Sequence, residues 1–295
     1  MSLRDQLKGT GVALVTPFKH DGSVDYEAFE RLINFVIDGG VQYVVTLGTT
    51  SETPTLSREE KLEIINHTYD FVGGRVPVVV GIGGNNTQSI IKDAESYPLE
   101  KATAILSASP SYNKPSQEGI YQHYKAFAKA TSKPVILYNV PGRTCSNIAA
   151  STTIRLSTDF ENICGIKEAS GNMVQCMQIL KNKTEEFFVT SGDDHLALPL
   201  IACGMHGVIS VAANCFPRDF AKMVNCALEG ELVAARALHN KLLEGFDLLF
   251  AENNPAGVKA FLSELGIIEN NLRLPLVPLS NSIHNQVKEY LASLK

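Results

Sequence analysis

A repeated alternation of short apolar runs and amphipathic segments constrains the fold of this 295-residue chain more than any other feature. Runs rich in β-branched residues, typical of strands buried on both faces, recur about eight times, and a segment of helical periodicity follows nearly every one. The predicted strands cover residues 11–16, 43–47, 76–80, 104–107, 135–138, 163–167, 187–190 and 207–211. Eight such units close a TIM barrel, so we predict an α/β fold of the (β/α)8 type. The competing architecture is a doubly wound open sheet, which the strand count disfavours.

Local signals place several of the helices. Asp25 can cap a helix that runs to about Ile37, and the sequence Ser57-Arg58-Glu59-Glu60 is a capping box that opens the next one. From residue 231 onward the pattern is helical only, without a linker-like composition before it. We therefore predict a barrel over residues 1–230 and a C-terminal helical appendage of the same domain over residues 231–295.

Composition limits the possible partners. The net charge is −5, and no stretch is rich in Lys and Arg, which argues against nucleic acid or an anionic membrane surface. No apolar run approaches the roughly 18 residues of a membrane span, and the N-terminus lacks a signal-peptide core. We expect a cytoplasmic protein that acts on small molecules.

The most informative single residue is Lys167, which ends the apolar run 163–167. A lysine buried among apolar neighbours has its charged form disfavoured, and a neutral amine can attack a carbonyl to form a Schiff base. The alternative is a strand-end lysine whose amine reaches water. The choice between them depends on the residues that the fold brings to the same place.

In a TIM barrel the active site is built from the loops after the carboxyl ends of the strands. These loops carry the hydroxyls of Thr49 and Thr50, the phenols of Tyr112 and Tyr138, and the guanidinium of Arg143. Together with an amine they suit a 2-oxo acid. The amine forms the imine, the hydroxyls and backbone hold the carboxylate, a tyrosine moves protons and the arginine grips a second carboxylate.

Two other motifs have weaker support. The run from Gly81 to Asn86 resembles a dinucleotide fingerprint, but Asn86 stands where the third glycine belongs. The sequence Asp193-Asp194-His195 could suggest a metal site, yet no second cluster completes a coordination shell, so we expect a polar loop.

With these residues in place, the sequence resembles the class I, Schiff-base family of dihydrodipicolinate synthase and N-acetylneuraminate lyase from Gly11 to about Leu279. Five motifs occur in the family's order and spacing. They are Gly48-Thr49-Thr50, Tyr112-Asn113-Lys114-Pro115, Tyr138-Asn139-Val140-Pro141-Gly142-Arg143-Thr144, Gly165-Ile166-Lys167-Glu168 and Ser191-Gly192-Asp193-Asp194. The first and third of them resemble the synthase branch.

This resemblance implies that Lys167 binds pyruvate as a Schiff base and joins it to L-aspartate-4-semialdehyde. Ring closure would give 4-hydroxy-tetrahydrodipicolinate, the first committed step toward diaminopimelate and L-lysine, without a metal or organic cofactor. The implied catalytic residues are Lys167, Tyr138, Thr50 and Tyr112. The implied substrate contacts are Thr49, Thr50, Arg143, Gly192 and Ile209, the last two through backbone.

The resemblance also implies that Tyr112 crosses a dimer interface, so that the chain forms a homo-oligomer, expected to be a dimer of dimers. Lysine-inhibited members bind their effector at that interface. Here Lys61, Ser89 and Ser111 replace a histidine, a glutamate and a tyrosine, and we expect weak or absent lysine feedback.

Two alternative functions remain at the level of sequence. A sugar-acid aldolase, such as N-acetylneuraminate or 2-keto-3-deoxygluconate lyase, would share Lys167 and Tyr138 but accept a polyhydroxylated aldehyde. A barrel that binds a 2-oxo acid without turnover is disfavoured, because none of the matched reactive side chains is missing. Arg143 separates the two enzymes, since a neutral sugar does not need it.

Overall fold

The computed structural model describes residues 2–294, and they contain a closed barrel of eight parallel strands. Neighbouring strands pair in chain order, and the first strand closes the barrel against the last. The strands are β1 (Gly9–Ala13), β2 (Tyr43–Thr46), β3 (Val78–Gly81), β4 (Ala104–Ala108), β5 (Val135–Asn139), β6 (Ile163–Glu168), β7 (Phe188–Ser191) and β8 (Gly207–Ser210). The predicted (β/α)8 barrel is confirmed, and the open-sheet alternative is wrong.

Helices surround the barrel and continue after it. They are α1 (Leu3–Gln6), α2 (Tyr26–Asp38), α3 (Arg58–Val72), α4 (Thr87–Ser96), α5 (Gln117–Ala130), α6 (Pro141–Thr144), α7 (Ala150–Asp159), α8 (Met173–Asn182), α9 (Ala197–Ala202), α10 (Pro217–Leu228), α11 (Leu232–Phe250), α12 (Ala256–Glu264) and α13 (Asn281–Ser293). Asp25 caps α2 by accepting a hydrogen bond from the Ala28 amide, and the capping box of α3 is present. Among residues 2–294, no helix has both the length and the hydropathy needed to cross a membrane.

Strand boundaries differ from prediction where backbone hydrogen bonding overrides apolar content. The first strand begins at Gly9, two residues early, because the ladder to β8 starts with the Gly9–Gly207 pair. The third begins at Val78 rather than at residue 76. Pro77 precedes it and has no N–H to give to a ladder.

The barrel interior is filled by side chains of very different size, which sit opposite one another. Tyr43 of β2 is fully buried, and its ring occupies the space that a Cβ on Gly11, its partner on β1, would need. This large-against-small packing closes the barrel below the carboxyl ends of the strands. The functional site therefore opens at the carboxyl ends of the strands.

The C-terminal region is joined to the barrel by a buried ion pair. The Lys259 ammonium of α12 lies 2.5 Å from a carboxylate oxygen of Glu52, which follows the β2 loop, and both side chains are fully buried. Burial lowers the pKa of Lys259 to about 8, while Glu52 acts in the opposite direction. The Asn271 carbonyl accepts a second hydrogen bond from the amine, at 2.9 Å.

This ion pair connects the segment beyond residue 230 to the β2 loop. The assignment of residues 231–295 to the same domain as the barrel stays a prediction. Of the predicted domain bounds, Met1 and Lys295 lie outside the described residues.

The first prediction concerns this pair. Lys259→Met leaves the Glu52 carboxylate buried without its cation, and we expect the free energy of unfolding to fall by about 3–5 kcal/mol in urea denaturation. The double variant Glu52→Gln/Lys259→Met should recover most of that loss, because a glutamine oxygen can still accept from the Arg273 amide. A double variant no more stable than Lys259→Met would contradict the argument.

Candidate active site

A cavity of about 630 Å³ opens at the carboxyl ends of the strands. Its lining combines residues from the barrel with residues from the region after it. Six predicted residues line it: Thr49, Thr50, Tyr138, Arg143, Lys167 and Gly192. The structure thus brings together residues that lie up to 143 positions apart in the chain, from Thr49 to Gly192.

Lys167 and Tyr138 form the centre of this cavity. They are direct partners in the β5–β6 ladder, and both side chains point into the barrel and are almost fully buried. The Lys167 amine lies 4.4 Å from the centroid of the Tyr138 ring. An amine in such a position can attack a carbonyl group only of a molecule that enters the cavity.

Gly192 gives the lysine side chain its space. A Cβ at this position would lie 2.7 Å from Cε of Lys167 and 2.6 Å from Cβ of Ala169, closer than such atoms approach one another. The role implied for Gly192 was a backbone contact in the site. The geometry adds a steric reason for glycine.

The turn that carries Thr49 and Thr50 is held in an unusual conformation. Leu47 and Glu52, on either side of it, have left-handed backbones, with φ of 54° and 53°, which costs a non-glycine residue about 1 kcal/mol or more. Ser51 anchors the turn by donating a 2.7 Å hydrogen bond to the Leu14 carbonyl. This fixed turn presents both threonines to the cavity.

Asn254 is a site residue that the sequence did not predict. Asn254 lies after α11, almost fully buried, and its side-chain amide donates to the Thr50 hydroxyl at 3.0 Å. Its backbone carbonyl accepts from the Arg143 guanidinium at 3.3 Å. This residue follows a helix, whereas the predicted site residues lie near the carboxyl ends of strands or in the loops that follow them. The Asn253-Asn254-Pro255 sequence was the one available signal, since polar residues before a proline mark a turn.

Two predicted site residues do not line the cavity of their own chain. Ile209 is fully buried in the barrel core on β8, and Val211 lines the cavity instead. Tyr112 is 89% exposed and has a φ of 66°, in the left-handed region that a bulky residue rarely adopts. Its phenol therefore projects from the surface of the chain.

The Asp193-Asp194-His195 segment is a polar loop at the cavity, as predicted. His195 lies 2.9 Å from an Asp247 oxygen, and Asp193 caps the following residues. Asp194 is buried, which raises the pKa of its carboxyl, and it accepts hydrogen bonds from the amides of Val211 and Ala212. Within residues 2–294, no group of three or more His, Cys, Asp or Glu residues is arranged to hold a metal ion.

The arrangement can support imine chemistry. The lining includes a primary amine and a phenol whose residues are almost fully buried, two threonine hydroxyls, and the guanidinium of the more exposed Arg143. Such a site suits a small carbonyl acid at the amine and a second anionic group at the arginine.

Comparisons with known proteins agree with a site for imine chemistry. The model of the dihydrodipicolinate synthetase family matches residues 6–294. The 4-hydroxy-tetrahydrodipicolinate synthase of Parabacteroides distasonis is 52% identical over 288 residues, 98% of this chain and 97% of the relative. That of Phocaeicola vulgatus is 50% identical over 99% of each chain. The crystal structure of dihydrodipicolinate synthase from Aquifex aeolicus superimposes with a TM-score of 0.94 at 41% identity, covering 97% of this chain and 98% of the other.

The second prediction tests the space beside Lys167. In Gly192→Ala the new methyl displaces the lysine side chain, so a borohydride-reducible adduct between Lys167 and a 2-oxo acid should form roughly 100-fold more slowly, as mass spectrometry can follow. Gly142→Ala is the matched control, because Gly142 lines the same cavity and a Cβ there meets no atom within 4 Å. Equal losses in the two variants would argue against the steric role.

Proposed function

Because this chain belongs to the dihydrodipicolinate synthetase family, we propose that it condenses pyruvate with L-aspartate-4-semialdehyde to give 4-hydroxy-tetrahydrodipicolinate. It is a Schiff-base lyase of lysine and diaminopimelate biosynthesis. The observation that carries the proposal is the buried Lys167 amine over the Tyr138 ring, in a cavity that also contains Arg143. A cytoplasmic location stays a prediction.

The first half of the reaction uses pyruvate alone. The amine of Lys167 adds to C2 of pyruvate, and the carbonyl oxygen leaves as water to give a protonated imine. Loss of a proton from C3 converts this cation into an enamine. Thr49 and Thr50 hold the pyruvate carboxylate, and Tyr138 is the general acid and base for the proton transfers.

The second half forms a carbon–carbon bond and then a ring. C3 of the enamine attacks the aldehyde carbon of the semialdehyde, whose oxygen takes up a proton and becomes the 4-hydroxyl. The amino group of that substrate then attacks C2 and expels the Lys167 amine, which closes the ring and frees the enzyme. One water is lost overall. Arg143 binds the semialdehyde carboxylate.

Asn254 supports both substrate positions in this assignment. Its side chain bonds to Thr50, which stands at the pyruvate carboxylate, and its carbonyl bonds to Arg143, which stands at the second carboxylate. A single residue of the C-terminal region therefore fixes the spacing between the two anion sites.

The proposal extends to an oligomer in which Tyr112 acts in the site of a partner subunit. Its support is that this tyrosine is almost fully exposed in a strained backbone conformation and does not line its own cavity. Exposure of a large aromatic at such a cost is expected where a partner covers it. A dimer of dimers stays a prediction.

Lysine feedback is proposed to be weak. A second cavity of about 470 Å³ adjoins the first, and its lining includes Lys61 and Ser111. Lys61 adds a positive charge there, which disfavours an effector that carries an ammonium.

The third prediction tests the substrate. Wild-type protein should turn over pyruvate with L-aspartate-4-semialdehyde in preference to N-acetylmannosamine or glyceraldehyde, measured in parallel steady-state assays. Arg143→Ala should lose at least 100-fold in kcat/KM for the semialdehyde, because a bidentate carboxylate contact is removed, while borohydride trapping of pyruvate persists. Preference for a neutral sugar aldehyde would instead indicate a sugar-acid aldolase.

The fourth prediction tests shared sites. Tyr112→Phe and Lys167→Ala should each be nearly inactive alone. When they are refolded or co-expressed as a 1:1 mixture, about a quarter of wild-type activity should return, because each mixed dimer regains one intact site. Mixtures that stay inactive would indicate that Tyr112 does not act in the site of a partner subunit.

A further inference from the structure

Glu168 follows Lys167 directly on β6, and its side chain points away from the barrel interior toward the surrounding helices, where it is 1% exposed. Three donors surround its carboxylate. The Asn139 side-chain amide lies 3.1 and 3.0 Å from its two oxygens, the Gln175 amide lies 3.0 Å from one, and the Ser170 backbone amide lies 2.8 Å from the other.

These donors are held in turn by each other. Asn139 also donates to Asn147 at 2.8 Å, Asn147 donates to Gln175 at 2.8 Å, and the Ile148 amide donates to Asn139 at 2.9 Å. The Asn139 and Gln175 amides therefore have their orientation fixed, with N–H groups directed at Glu168. The pocket is built for a group that only accepts hydrogen bonds, which at neutral pH is a carboxylate.

The carboxylate of Glu168 is held by neutral hydrogen-bond donors. Within residues 2–294, no lysine, arginine or histidine forms an ion pair with Glu168. Burying a charge among neutral donors is costly, and a neutral residue could make a hydrogen-bonded network without that cost. A buried, unpaired anion is useful where a positive charge develops nearby during a reaction.

The proposed function supplies such a charge on the adjacent residue. The imine between Lys167 and pyruvate must carry a proton for C3 to become acidic, and this cation forms on the residue next to Glu168 in β6, on the opposite face of the strand. We propose that Glu168 is a positioning residue that stabilises the cationic imine of Lys167 through its fixed negative charge and holds Lys167 beside Tyr138 through its bond to Asn139. This inference rests on the proposed function.

A purely structural role and an electrostatic role of Glu168 predict different results. A purely structural carboxylate would affect stability and lower the rate equally at every pH. An electrostatic role also shifts the pH at which the imine nitrogen loses its proton, because removing an anion disfavours the nearby cation. That shift must be toward lower pH.

The measurement uses enzyme labelled with ¹⁵N at the lysine side chains and saturated with pyruvate alone. The ¹⁵N shift of the imine nitrogen reports its protonation directly, and exchange of the pyruvate C3 hydrogens for deuterium reports enamine formation. In Glu168→Gln we expect the midpoint of imine protonation to fall by about one pH unit, and deuterium exchange at high pH to fall about tenfold. Glu168→Asp keeps the negative charge, so its midpoint of imine protonation should stay close to that of the wild-type protein.

Gln175→Leu is the matched control. It removes one donor of the same network without changing the charge, so it should lower the melting temperature but leave the midpoint of imine protonation in place. If Glu168→Gln does not fold, the double variant Glu168→Met/Gln175→Leu is used instead, because it removes the charge together with the Gln175 amide that donates to it. Its midpoint of imine protonation is then compared with that of Gln175→Leu.

A neutral variant whose midpoint equals that of Gln175→Leu would overturn the electrostatic role of Glu168. Absence of any imine in the wild-type protein would be a separate result. It would refute the Schiff-base function itself, and the role of Glu168 with it.

Discussion

The pairing of β5 with β6 is the interaction on which the site depends. Because side chains alternate along a strand, one register places Lys167 beside Tyr138 on the inside of the barrel and Glu168 beside Asn139 on the outside. A slip of one residue would exchange the two faces and put the amine among the helices. The hydrogen bonds of Asn139 to Glu168 and Asn147 stabilise the correct register from outside, where the Asn139 and Glu168 side chains are buried.

The C-terminal region is part of the site as well as a neighbour of the barrel. Lys259 pairs with Glu52 at the end of the β2 loop, and Asn254 reaches Thr50 and Arg143 within the cavity. Both contacts bear on the same turn, which lies between the left-handed residues Leu47 and Glu52. The segment therefore stabilises a strained loop and sets the distance between two anion-binding groups.

The sequence predicted the barrel and most of the site because those features follow from local rules. Eight apolar runs with helices between them can close in few ways, and motifs after successive strands must meet at one end of a parallel barrel. The capping box at Ser57 and the cap at Asp25 were confirmed for the same reason, since caps depend on residues a few positions apart. The first strand begins two residues earlier than predicted, because Gly9, a residue type that favours turns, pairs with Gly207 where the barrel closes.

What the sequence determined by itself was the set of reactive groups and the strand ends that carry them. Tertiary structure decided what those groups touch. Asn254 enters the cavity from beyond α11, Gly192 leaves room for Lys167, and Glu168 accepts hydrogen bonds from neutral amides. Each of these contacts depends on chain segments from different parts of the sequence. Periodicity and motif spacing describe neighbours along one element, whereas these contacts arise from packing between elements, which no local pattern records.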